Sequence, residues 1–262
     1  MSTTQTPPAA PPQPLYHPWR WSAWLLASQL LVALLWWQAG WQYGLPALLL
    51  SHALFIVPVF LPNCRFYAPV ARQWDGAGNR VWLTIDDGPS DDTPALLALL
   101  GRHDARATFF LVGERAAARP ALVRAILAAG HSIGNHSLGH PQARYWALGP
   151  AALEQQIGGC QQALAAIAGQ PPRWYRSVVG HTNPFVAAVL ARHGLQRVGW
   201  SARGFDGVAA EVPQVLGRIV PQLRPGAIVL LHEGGRRGQA EAVLAGVLQA
   251  LEARGLQADI PG

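Results

Sequence analysis

From Trp21 to Cys64 the chain carries no Asp, Glu, Lys or Arg, and Arg20 is the only charged side chain before Arg65. Two apolar runs, Trp21–Trp37 and Leu45–Leu61, flank a short link, Gln38–Gly44. A bilayer core of ~30 Å is crossed by about 20 helical residues, and about 17 suffice. The pattern predicts two short transmembrane helices over residues 20–63, with Trp21, Trp24, Trp36, Trp37, Trp41 and Tyr43 as interfacial anchors against membrane lipid. The alternative is a helical hairpin buried against a soluble domain. Pro46, His52 and Pro58 make the second run the one to kink or re-enter.

Residues 1–19 are rich in Pro, Ala, Thr and Gln, a composition expected to stay disordered. They lack the basic start of a secretory signal, and no small-x-small cleavage site follows the apolar run. Arg20 precedes the first span, Arg65 and Arg72 follow the second, and the link is uncharged. By the positive-inside rule these flanks lie in the cytoplasm, which puts residues 65–262 on the inner face of the plasma (inner) membrane.

The whole chain has a net charge of +6, and every basic residue is arginine. Beyond Asp75 the arginines are interspersed with acids and form no basic run, so the charge reads as a solvated surface and no nucleic-acid partner is expected. Cys64 and Cys160 have no CxxC spacing and suggest neither a disulfide framework nor a zinc knuckle.

After a connector over 64–79 the pattern changes. Strands are expected at 80–86, 107–112, 131–135, 173–177, 196–201 and 226–232. Helices are expected near 92–102, 117–129, 149–168, 184–193, 211–223 and 238–254. Such alternation is that of an α/β domain with a parallel sheet or barrel, whose sites sit at the C-terminal ends of strands.

The first strand candidate runs straight into two carboxylates, in "VWLTIDDGPS". Adjacent strand residues face opposite ways, so Asp86 and Asp87 can share a site only if the strand breaks there, and Gly88-Pro89 supplies a break. A buried carboxylate pair needs an ionic or catalytic partner. In "HSIGNHSLGHP" His136 and His140 are four apart, so one helical turn would put both imidazoles on one face, while His131 reads as structural. With an Asp from another strand end they would make a three-ligand metal set with an open position for water. Arg176 follows a strand in "WYRSVVGHTNP", Asp206 follows another in "VGWSARGFDG", and His232 ends the buried strand "GAIVLLHEG".

The segments "TIDDGPS", "HSLGH", "RSVVG", "FDG" and "LLH", in this order, resemble the polysaccharide deacetylase family (NodB homology domain, carbohydrate esterase family 4) over residues 80–257. The resemblance implies a distorted (β/α) barrel, usually seven-stranded, and a catalytic domain over 80–262. It implies Asp86 as general base held ionised by Arg176, and Asp87, His136 and His140 as ligands of a divalent metal, often zinc, with Co, Ni or Mn as alternatives. His232 would be the general acid, oriented by Asp206. Leu230 would line the acyl pocket, and the backbone N–H of Val179 would face the oxyanion.

The chain departs from that pattern at three places. Val178 stands for a Pro, Arg203 for an Asp, and Gly207 for a Trp that usually closes the acyl pocket, so the pocket is expected to be wider than usual. The function so implied is metal-dependent removal of an N-acetyl group from an amino sugar in a polysaccharide or glycolipid. O-acetyl esterase activity, or a silent membrane carbohydrate-binding protein, are the alternatives. Many members of the family act outside the cytoplasmic membrane, against the orientation the arginines favour.

Overall fold

The computed structural model describes residues 17–75, 77–208, 211–235 and 238–262. Of the tail expected to be disordered, 1–19, all but His17, Pro18 and Trp19 lie outside the described residues.

Helices α1 (Arg20–Ala39) and α2 (Trp41–Ile56) form an antiparallel hairpin. The expected link, Gln38–Gly44, contracts to Gly40, whose φ of 85° suits a residue without a Cβ. Gly44 lies under Trp36, where a Cβ would come within 2.5 Å of the indole. Gln29 Nε2 donates to Ser51 Oγ at 2.9 Å, and the Ser28 and Ser51 hydroxyls are 2.9 Å apart. Small and polar residues of this kind hold helices together in lipid. Along the hairpin only Val32, Gly44 and Ser51 are buried, and its outward leucines are exposed. It is therefore no core element of the domain, and the segments Arg20–Ala39 and Trp41–Phe60 are each long and apolar enough to cross a membrane.

Both ends of the hairpin rest on the rest of the chain. Trp19 and Trp21 lie 6.4 and 5.8 Å from Phe185, and Phe60 lies 5.5 Å from Trp146 and 5.2 Å from His181. The Thr182 N–H donates to the Val59 carbonyl at 3.0 Å.

The remainder is a parallel sheet wrapped by helices. Its strands are β1 (Arg80–Gly88), β2 (Thr108–Leu111), β3 (Ser132–Asn135), β4 (Trp174–Tyr175), β5 (Gln196–Arg197), β6 (Ala202–Arg203), β7 (Ile228–His232) and β8 (Gln257–Asp259). Spatially they run β5-β4-β3-β2-β1-β7-β6, with β8 beside the start of β1, and every pairing is parallel. The seven strands of the path curl into a half-barrel, as expected of a (β/α) barrel. Between strands lie α3 (Thr93–Arg102), α4 (Gly113–Ala118), α5 (Pro120–Ala128), α6 (Pro150–Ala168), α7 (Val186–Arg192), α8 (Val212–Ile219) and α9 (Gln239–Glu252).

Three expectations change. The helix expected over 117–129 divides, because Pro120 opens a new helix. The strand expected over 196–201 shortens to β5, and β6 lies just beyond it, where no strand was expected. Strand β8 was not expected, since it has too few residues to show a pattern.

The seam between β5 and β6 is filled by the connector. Ala71 bridges to Val198 and Gln73 to Ala227. The Gly199 N–H donates to Ala71 O at 2.7 Å, and Asn63 Nδ2 donates to Trp200 O at 2.8 Å.

The period of two along β1 sorts the interior. Val81, Leu83 and Ile85 face the helices and join the main core. That core includes Leu96 and Leu100 of α3, Phe109 of β2, Val215 and Ile219 of α8, and Leu244 and Leu248 of α9. Trp82, Thr84 and Asp86 face inward. Trp82 closes the bottom of the barrel against Phe110, Trp174 and Ile228, with its Nε1–H on Thr108 Oγ1 at 2.7 Å. Asp86 is thereby lifted to the open, C-terminal end.

Candidate active site and metal centre

Asp87 follows Asp86 without a strand break. The strand continues to Gly88 through a bulge, and Asp87 itself adopts φ 71°. The turn expected at Gly88-Pro89 is thus taken one residue earlier, which brings both carboxylates to one side. Left-handed backbone in a residue other than glycine is uncommon, and Asp tolerates it better than most.

The two histidines also meet by another route than the expected helical turn. Strand β3 ends at Asn135, and Ser137 (φ 70°) and His140 (φ 51°) fold the next residues into a tight loop. Asn135 fixes it: its Oδ1 accepts the Ser137 N–H at 3.0 Å, while its Nδ2 donates to Ile157 O and Gln161 Oε1 on α6. Ser137 Oγ accepts the His140 N–H at 3.2 Å.

His136 Nε2 lies 3.5 Å from Asp87 Oδ1 and 3.8 Å from Asp86 Oδ2, and His140 Nε2 lies 3.2 Å from Asp87 Oδ1. The His136 Nδ1–H donates to the Arg176 carbonyl at 2.9 Å, which leaves the Nε2 lone pair facing Asp87. Asp87 Oδ1 is buried yet accepts no hydrogen bond. An orphaned carboxylate oxygen between two imidazole nitrogens is the donor set a divalent cation takes, and the three ligand atoms lie within 4.8 Å of one another. Asp87, His136 and His140 therefore fit a metal ion.

Asp86, buried, is held from the other side. Arg176 Nη1 donates to Asp86 Oδ1 at 2.8 Å and to Thr84 Oγ1 at 2.7 Å, and Nη2 donates to Gly199 O at 2.8 Å. The guanidinium is fully buried and stacks 4.3 Å over Phe110. A buried cation so restrained needs its anion, and Asp86 is that anion.

His232 stands across the cavity. Both Asp206 oxygens serve it: Oδ2 accepts its backbone N–H at 2.7 Å and Oδ1 its Nδ1–H at 3.0 Å. Burial lowers the affinity of His232 for a proton, but the bond to and charge of Asp206, with Asp86 and Asp87 behind, prevail and push its pKa up to about 9. Burial would likewise lift the Asp87 carboxyl, yet the imidazoles of His136, His140 and His232 hold it below its ordinary value. Burial, with the charge of His136, brings His140 down to about 4.

Asp86, Asp87, His136, His140 and His232 line one cavity of about 140 Å³, together with Leu230 and Val179, while Arg176 and Asp206 stand behind it. Leu230 is buried, and Val179, at φ 46°, is half exposed at the mouth. Gly207 does not leave a gap beside His232: a Cβ there would lie 3.2 Å from three atoms of its ring. Trp200 and Phe205 line the wall instead. Sequence reasoning passed over Thr84, Asn135 and Ser137. The first was detectable as an inward β1 position, the others as polar residues against the first histidine.

A family model described as polysaccharide deacetylase matches residues 75–198. A chitooligosaccharide deacetylase of Azorhizobium caulinodans is 35% identical over 67% of this chain and 89% of its own length. A peptidoglycan-N-acetylglucosamine deacetylase of Bacillus cereus is 34% identical over 70% and 87%. Among solved structures, a family 4 carbohydrate esterase from Streptomyces lividans in complex with acetate is 35% identical, aligns with a TM-score of 0.64, and covers 69% of this chain and 92% of that one. With this extent of likeness, the chain belongs to the polysaccharide deacetylase family and is a hydrolase.

Proposed function

We propose that the protein is a metal-dependent N-deacetylase, held to the membrane by its hairpin, acting on an N-acetylated amino sugar of a lipid-linked glycan. The observation that carries the reading is the orphaned Asp87 oxygen between two imidazoles, with Asp86–Arg176 on one flank and His232–Asp206 on the other. A divalent cation, zinc or a similar ion, held by Asp87, His136 and His140 would polarise the acetamide carbonyl and acidify water.

The side chains supply the rest. Asp86, kept in place by Arg176, takes the proton of the attacking water. Leu230 receives the acetyl methyl, and the Val179 N–H donates to the carbonyl oxygen as it gains charge. His232 carries a proton on Nε2 and gives it to the nitrogen as the C–N bond breaks, so that acetate and a neutral amine leave. Asp206 keeps that imidazole protonated and correctly turned.

The membrane part of the reading is supported by the exposed apolar hairpin and by the way both its ends rest on the domain, as an even number of crossings requires. With Arg20, Arg65 and Arg72 flanking the spans, the domain faces the cytoplasm. A reporter active only in the cytoplasm, fused at Gly262, is expected to be active; a silent one beside an active periplasmic fusion overturns the orientation. The activity is tested by purifying the full chain, assaying bound metal, and measuring acetate release from N-acetylated chito-oligosaccharides and from alkyl N-acetylglucosaminides. Metal without acetate release from any of them returns the protein to the silent carbohydrate-binding alternative.

A further inference from the structure

One cation in the cavity has no task in this chemistry. Arg203 is the sole arginine among the described residues that line the cavity, at the position where the family pattern carries an acid. It sits on β6 directly beside Leu230 of β7. Its guanidinium carbon lies 3.8 Å from the Phe205 ring and 5.2 Å from Trp200. Aromatic stacking fixes the plane of a guanidinium while leaving its N–H edge free for an oxyanion. Among the described residues Arg203 makes no ion pair, although the charge of Asp206 reaches it, and its buried Nε has no hydrogen-bond partner. Asp206, the nearest acid in the chain, spends both oxygens on His232.

Beyond Arg203 the mouth turns apolar. Phe205, Val208 and Val179 are 45%, 62% and 46% exposed, and Phe60 and Trp146 continue the exposed surface to the foot of the hairpin. The order from floor to rim is thus acetamide chemistry, one stacked cation, and an apolar margin leading to the membrane helices.

Resting on the deacetylase reading, we propose that Arg203 binds a phosphodiester that joins the amino sugar to a long apolar chain, so that the substrate is a sugar phospholipid drawn from the bilayer. A phosphodiester carries one negative charge at neutral pH and two free oxygens, which match the paired N–H groups of a guanidinium. A neutral polysaccharide offers this cation no counter-charge, and a free sugar phosphate offers nothing to the margin.

The test uses the full-length protein in detergent with three probes of equal tail length: N-acetylglucosaminyl decyl phosphodiester, neutral decyl N-acetylglucosaminide, and decyl N-acetylmuraminide, which carries a carboxylate. The wild type is expected to favour the phosphodiester over the neutral glycoside at least tenfold in kcat/KM. Arg203→Ala abolishes that ratio and Arg203→Lys restores part of it, with melting temperature and metal content retained in both. No preference in the wild type, a preference that survives Arg203→Ala, or a larger Arg203 dependence for the muraminide overturns the inference while leaving the deacetylase reading intact. Binding of the same probes to Asp86→Asn separates the two claims. Tenfold weaker phosphodiester binding on adding Arg203→Ala upholds the role of Arg203 even if no probe is turned over, and equal binding overturns it.

Discussion

The floor and the wall of the cavity are built on different physical terms. On the floor, Asp86, His136 and Arg176 are buried and each is fixed by at least one further group: Arg176 on Asp86 and Thr84, and the Arg176 carbonyl on His136. On the wall, Val179, Phe205 and Val208 are exposed, Val179 and Phe205 have left-handed φ, and the Phe205 side chain is held by stacking on guanidinium groups. Chemistry that must place a proton within tenths of an ångström is put where burial and charge over-determine position. Recognition of the substrate's remainder is put where side chains can be exchanged without loss of the fold.

Substitution on the floor should give the largest effects. Asp86→Asn is expected to lower kcat by about 10²–10⁴ with metal retained, whereas His136→Ala or His140→Ala should release the metal. Metal analysis beside acetate release checks both. If Asp86→Asn emptied the site and Asp87→Asn did not, base and ligand would have to be exchanged.

At the boundary of floor and wall, His232 must be protonated to act, so kcat/KM should fall as the pH rises through its pKa, raised to about 9. Asp206→Asn removes the bond and charge that raise it, and the basic limb should move to lower pH. A limb unmoved by Asp206→Asn and by His232→Ala would take His232 out of the acid role.

The wall should answer more mildly. Because a Cβ at Gly207 would press on the His232 ring, Gly207→Ala is expected to lower kcat several-fold with little change in KM, and Gly207→Trp to displace the acid as well as narrow the pocket. Trp200→Ala should widen acyl tolerance toward propionyl. Should Gly207→Trp sharpen acetyl selectivity at full kcat, the glycine is a specificity position and the contrast drawn above fails there.

The smallest effect lies away from the cavity. Burial, helped by the charge of Arg106, brings His131 down to about 4. Its folded pKa is depressed, so its contribution to stability is present above the ordinary histidine pKa of about 6.5 and is lost as the pH falls toward that lower value. His131→Gln should flatten the decline in Tm across this window; an unchanged slope would mean another group sets it.

The same contrast decides what could be read in the sequence. Floor residues come in short segments at strand ends, where apolar period and polar terminus are both local, so the pairing of Asp86-Asp87 with His136 and His140 was legible. The means were not. Asp87 turns by a bulge at its own φ, and the histidines meet across a loop pinned by Asn135 and Ser137, since a spacing of four fits a helix and a tight loop equally. The wall was least legible because its positions depend on distant chain. Gly180 packs against Pro62 and Trp200, and Trp200 is held by Asn63, contacts that no local pattern announces. Six strands followed from alternation and the count of seven from the family resemblance, because β6 and β8 are too short to show a period.

The strap that closes the seam between β5 and β6 also bears on how the protein can be cut. Arg80, the first residue of the sheet, is the natural place to begin a soluble fragment, yet that cut removes Ala71 and Gln73 and bares the edges they cover. Unpaired edges invite other chains. A fragment that begins at Pro62 keeps the strap, the Pro62 carbonyl on Arg197 of β5 and the bonds to Trp200, while discarding both apolar helices. The point of safe division is set by the last hydrogen bond the leader makes to the sheet.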